Sequence, residues 1–111
     1  MDPLNEPEIW RVLRGVRKVV INTCHGGFGL SRDAWVVYCM QHGWDPDDRN
    51  LHDGMISRDD PDLVAVIESL GEKAHGEFAD LKVVQIPQDV NWVIEEYDGR
   101  EWVAERHRTW R

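Results

Sequence analysis

At 111 residues, with 41% hydrophobic and 31% charged positions, the chain has room for one hydrophobic core and none for a second domain. Its net charge of -8 excludes recognition of a nucleic-acid backbone through a broad basic surface, a mode that draws affinity from Lys and Arg displacing counterions. No run approaches the roughly 18 apolar residues of a membrane span, the start Met1-Asp2-Pro3-Leu4-Asn5-Glu6 lacks the basic and apolar regions of a secretory signal, and two cysteines make no disulfide framework, so a reducing cytosol is the expected setting.

In chain order, residues 1–17 read as an extension punctuated by Pro3 and Pro7, with Ile9, Trp10, Val12, Leu13 and Val16 spaced for one short amphipathic helix. Lys18 to Thr23 reads as a buried strand. It runs into Cys24-His25-Gly26-Gly27-Phe28-Gly29, a glycine-rich loop, and Ser31 then caps a helix over Arg32 to His42 that Gly43 ends. Trp44 to Asp60 is a long polar loop expected to fold over one face. Asp60 and Pro61 open the next helix, on which Leu63, Val64, Ile67 and Leu70 have helical spacing and Gly71 is the expected stop. Leu81 to Ile86 is a second buried strand, closed by Pro87. Trp92 to Tyr97 and Arg100 to His107 form a hairpin about Asp98-Gly99, whose residues tolerate positive φ. The expected fold is α+β: a small single-domain sandwich, residues 18–111, with a mainly antiparallel sheet, a C-terminal β-hairpin and two to three helices on one face.

A two-residue turn sets Tyr97 opposite Arg100, Glu96 opposite Glu101, Glu95 opposite Trp102, Ile94 opposite Val103 and Trp92 opposite Glu105. Directly opposed Glu96 and Glu101 repel unless solvent, a cation or a proton relieves them, and paired carboxylates of this kind can carry acid and base work. Surface charge pointing into water is the commoner outcome. After Glu105, His107 brings a group that titrates near neutrality and Arg108 a planar fork suited to phosphate or carboxylate, while Trp110 either closes the core edge or meets a ligand.

The segment His25 to Ser31 lies between a strand and a helix N-terminus, where backbone N–H groups and the helix dipole favour an anion. Gly26, Gly27, Phe28, Gly29 and Ser31 are therefore candidate phosphate contacts, although the glycine spacing matches neither a dinucleotide fingerprint nor a Walker loop. The competing expectation is a tight crossover with Phe28 in the core. Cys24, His25, Cys39 and His42 could be assembled into a zinc site, but no paired short-spacing knuckle exists and no metal or cofactor is expected. Cys24, beside His25 and near a helix start, is the candidate nucleophile, with His107 favoured over His25 as its base because neighbours on a strand point to opposite faces.

Val20 to Ser31, Arg58-Asp59-Asp60-Pro61-Asp62-Leu63-Val64, Ile86-Pro87 through Gly99, Glu101 and His107-Arg108-Thr109-Trp110 together span nearly all of residues 18–110. In these motifs and their order the chain resembles a family of small proteins found in bacteriophage and prophage genomes. His25 departs from the Tyr common at that position in relatives. The resemblance implies a context, a phage accessory protein in the bacterial cytoplasm acting on host defence machinery or on a nucleotide signal, rather than a chemistry. The preferred expectation is a non-enzymatic binding protein that blocks a host protein or sequesters a small phosphorylated ligand, using the glycine loop, Arg58 and the strand carrying Glu101, Glu105, His107, Arg108 and Trp110. The alternatives are a small hydrolase or transferase built on Cys24 or on the Glu96 and Glu101 pair with His107 assisting, and a virion structural or assembly protein. Homo-oligomerisation is left open by the sequence.

Overall fold

A computed structural model describes residues 15–106. Strand β1 (Val16–Asn22) leads through the glycine loop into helix α1 (Arg32–His42), a 3-10 turn (Asp53–Met55), helix α2 (Pro61–Leu70), a second 3-10 turn (Gly71–Ala74), and strands β2 (Leu81–Pro87), β3 (Trp92–Tyr97) and β4 (Arg100–Glu105). The fold is α+β. The helix ends follow the expected chemistry: the Ser31 side chain accepts from Ala34 N, Gly43 takes the left-handed conformation, and Asp60 accepts from Asp62 N ahead of Pro61. The part of the expected N-terminal extension helix that falls on residues 1–14 lies outside the described residues. Val16 and Arg17, placed at its end by the sequence, instead open β1, because their backbones pair with Pro87 and Ile86.

β1 and β2 pair antiparallel, and β3 and β4 form the hairpin in the register expected from Asp98-Gly99. One face of the β1–β2 ribbon carries Val20, Leu81 and Val83 into a core with Ala34, Tyr38, Cys39, Ile56, Leu63, Val66 and Ile67. Val19 and Ile21, on the opposite face, are also buried, as befits a strand covered on both sides. α2 lies against both strands and against α1, and β1 lies against β4.

The four strands nevertheless do not join into one sheet. On the edge of β1 away from β2, the groups a third strand would use are taken by other partners. Val20 N donates to Arg58 O (2.8 Å), Val20 O accepts from Arg58 Nη1 (3.3 Å), and Asn22 N donates to the Glu101 carboxylate (2.7 Å). The long loop 44–60 therefore does fold over one face: Ile56 enters the core and Arg58 seals a strand edge. Among the described residues no helix is long and apolar enough to cross a membrane.

Candidate functional site

The chemistry-bearing side chains converge where the hairpin tip meets the end of β1 and the glycine loop. Asn22 continues the apolar run of Val19, Val20 and Ile21 and is fully buried. Its amide uses all of its capacity: Nδ2 donates to Cys24 O (2.6 Å) and Gly99 O (2.8 Å), while Oδ1 accepts from Asp80 N (2.8 Å) and Cys24 N (3.4 Å). One side chain thus ties together β1, the glycine loop, the entry to β2 and the hairpin turn. Sequence reasoning gave it no role; its only signal was a polar residue carried on from a buried strand.

Beside it, Arg58 forks onto Glu101, Nη1 to Oε1 at 2.6 Å and Nη2 to Oε2 at 2.9 Å, and its guanidinium lies 3.7 Å from the centre of the Phe28 ring. The side chains of Arg58 and Glu101 are 21% and 11% exposed, so the pair is largely withdrawn from solvent and its second acceptor role, toward Asn22 N, leaves no part of the carboxylate idle. The opposed carboxylates of Glu96 and Glu101 are relieved by separate donors. Glu101 faces the arginine, and Glu96, exposed, accepts from Gly99 N (3.0 Å) and closes the turn.

The glycine loop is a packing junction. A Cβ on Gly26 would stand 2.1 Å from Phe78 O, and one on Gly99 would stand 2.2 Å from His25 O, so the loop, the segment before β2 and the hairpin turn approach backbone to backbone. The amides nearest the helix start have internal acceptors: Leu30 N donates to Asp53 Oδ2 (3.0 Å) and Ser31 N to Ala74 O (2.9 Å). Phe28 packs against the core. Gly27 and Gly29 share this junction, the latter through Gly76 N, which donates to Gly29 O (2.9 Å).

Cys24 is half-buried at the edge of this junction. Among the described residues no histidine nitrogen hydrogen-bonds its sulfur, and His25, largely exposed, turns instead to Asp98 (3.4 Å). Cys39 is sealed in the core, where burial pushes its thiol pKa up. Cys24, His25 and Cys39 form no ligand cluster with His42, which stands with Asp60 and Asp62. Glu105 is exposed opposite Trp92, and His107, Arg108 and Trp110 lie outside the described residues.

Two surface hollows flank these elements. A groove of about 1000 Å³ runs between the start of β1 and α2, its walls crossed by the Lys18–Glu68 ion pair (2.8 Å), and it gathers no chemical set. A cleft of about 310 Å³ opens beside the hairpin, lined by Thr23, Tyr97, Arg100, Glu101 and Trp102. Here the outer hairpin face presents Tyr97, 75% exposed, diagonally across from Trp102, 45% exposed, with Arg100 alongside. The indole is oriented by its Nε1, which donates to Glu95 Oε2 (3.1 Å).

No protein-family model, curated protein or solved structure matches the chain.

Proposed function

We propose that the chain is a non-enzymatic binding protein that docks on another protein through the outer face of the β3–β4 hairpin. On the resemblance to phage and prophage proteins, the partner is a bacterial host protein. The observation that carries this reading is the exposed Tyr97, Trp102 and Arg100 set beside a cleft large enough to receive a side chain. These are the residue types that dominate protein–protein hot spots, and their exposure serves no internal packing. Glu95 holds the indole and the Arg58–Glu101 pair holds the hairpin, so little ordering is left for binding to supply. With a net charge of -8 on the chain, a partner with a basic surface is favoured.

Sequestration of a phosphorylated ligand has less support, since the Arg58 fork is committed to Glu101 and the Leu30 and Ser31 amides to internal acceptors. Turnover at Cys24 has less again, for want of a hydrogen-bonded base among the described residues. The test is capture from bacterial extract on immobilised chain, comparing the unaltered protein with a Tyr97→Ala, Trp102→Ala double variant of equal thermal stability, with proteins and small molecules identified by mass spectrometry. A protein retained by the first and lost by the second is the expected result. A nucleotide recovered in stoichiometric amount from both would overturn the reading in favour of sequestration.

A further inference from the structure

The C-terminus of α1 meets the N-terminus of α2, and three potential metal ligands face one another there. One nitrogen of His42 and one carboxylate oxygen each from Asp60 and Asp62 lie within 4.8 Å of one another. His42 Nδ1 and Asp62 Oδ2 are 3.3 Å apart. Two ligand atoms bound to one tetrahedral Zn²⁺ at its usual bond lengths stand about 3.3 Å apart as well.

The surroundings have the form of a supporting shell. The imidazole is stacked on Tyr38, ring centres 5.0 Å apart, and meets the edge of Trp44 at 4.7 Å, which fixes the plane in which its nitrogen points. Tyr38 OH donates to Asp60 Oδ2 (2.8 Å), and Asp60 Oδ1 accepts from Asp62 N (2.8 Å). Each of these oxygens keeps a further lone pair for a cation, and a ligating carboxylate held by an outer hydrogen bond is the common pattern at metal sites. The carbonyl end of the α1 dipole at His42 favours positive charge, and the N-terminal end of the α2 dipole at Asp60 opposes it, so the attraction rests on the two carboxylates.

A second observation points the same way. Among the described residues neither Asp60 nor Asp62 is within ion-pair distance of a Lys or Arg, although the desolvated Tyr38 ring lies against them. By contrast, Glu68 on α2 pairs with Lys18, and Asp47 in the loop after α1 pairs with Arg32.

We propose that His42, Asp60 and Asp62 form a site for one divalent transition-metal ion of the Zn²⁺ or Co²⁺ class, with Tyr38 as a positioning residue and water completing the coordination. Mixed imidazole and carboxylate ligands suit these ions better than Mg²⁺ or Ca²⁺. The bound ion would clamp the two helices together and is independent of the hairpin surface.

The experiment uses the full chain without a polyhistidine tag, titrated with ZnCl₂ by calorimetry and with CoCl₂ by visible absorption. The expected result is one saturable site per chain, with a Co²⁺ spectrum of nitrogen and oxygen ligation and no near-ultraviolet thiolate charge-transfer band. His42→Ala and Asp62→Asn each abolish saturation, and Tyr38→Phe weakens binding about tenfold. If His42→Ala fails to fold, Asp62→Asn decides. The proposal is overturned by absence of saturable binding in the unaltered chain, by binding that survives Asp62→Asn undiminished, or by a thiolate band that assigns the metal to Cys24.

Discussion

Glu96 and Glu101 are identical side chains set opposite each other, and burial gives them unlike roles. Glu101 satisfies Arg58 and Asn22 N in a site almost closed to water, whereas Glu96 meets one backbone N–H in solvent. Replacing Glu101 by Ala leaves a largely buried guanidinium and a buried amide without their acceptor, and the expected cost is on the order of 3 kcal/mol. Glu96→Gln keeps an oxygen for Gly99 N and should stay within about 0.5 kcal/mol of the unaltered chain. Urea unfolding of the two variants checks both values, and equal losses would refute the asymmetry. The facing of the two glutamates was legible in the sequence because Asp98-Gly99 fixes the register. What Glu101 does was not legible, because its partner lies 43 residues away in a loop without periodicity. Asn22 was hidden for the same reason, its partners being drawn from three separated segments.

At the scale of elements, the helices were the easiest to read. Ser31 and Gly43, Asp60 and Pro61 are local signals whose physics is complete within a few residues, and the observed bounds of α1 coincide with the expected ones. The division of the strands into two ribbons was not readable, since alternation says which residues face a core but not whether an edge will be met by a strand or by an arginine. The hairpin turn joins both kinds of information. Asp98 and Gly99 both have positive φ, at 53° and 87°, and Gly99 in addition admits the His25 carbonyl. Gly99→Ala should therefore cost more than about 1 kcal/mol and lower the Tm by about 5 °C or more, through both strain and collision. Asp98→Asn, which tolerates the same conformation and gives up only an exposed pair with His25, should leave the Tm nearly unchanged.

For the whole molecule, the core carries two groups that are neutral when folded and costly to ionise. Burial, followed by the hydrogen bond to Asp60, holds the Tyr38 phenol well above its ordinary value of 10.0, and burial raises the Cys39 thiol above 9.0. Unfolding frees both to ionise at their ordinary values. Their contribution to stability is full below about pH 9 and is lost as pH rises from there toward the folded-state values, so the chain should unfold progressively in alkali. Denaturant midpoints measured from pH 8 to pH 11 should fall, and a flat profile would contradict the burial of these groups. The join between the two ribbons also has a consequence in time. The hairpin closes over a two-residue turn, whereas β1 must find β2 across most of the described chain, with Val16 opposite Pro87. The Arg58–Glu101 fork and the Asn22 bonds to Gly99 O and Asp80 N join segments far apart in the chain, so they belong to the last step of assembly. Glu101→Ala should accordingly hasten unfolding while leaving the refolding rate almost untouched, and the resistance of this protein to unfolding is set by the contacts it makes last.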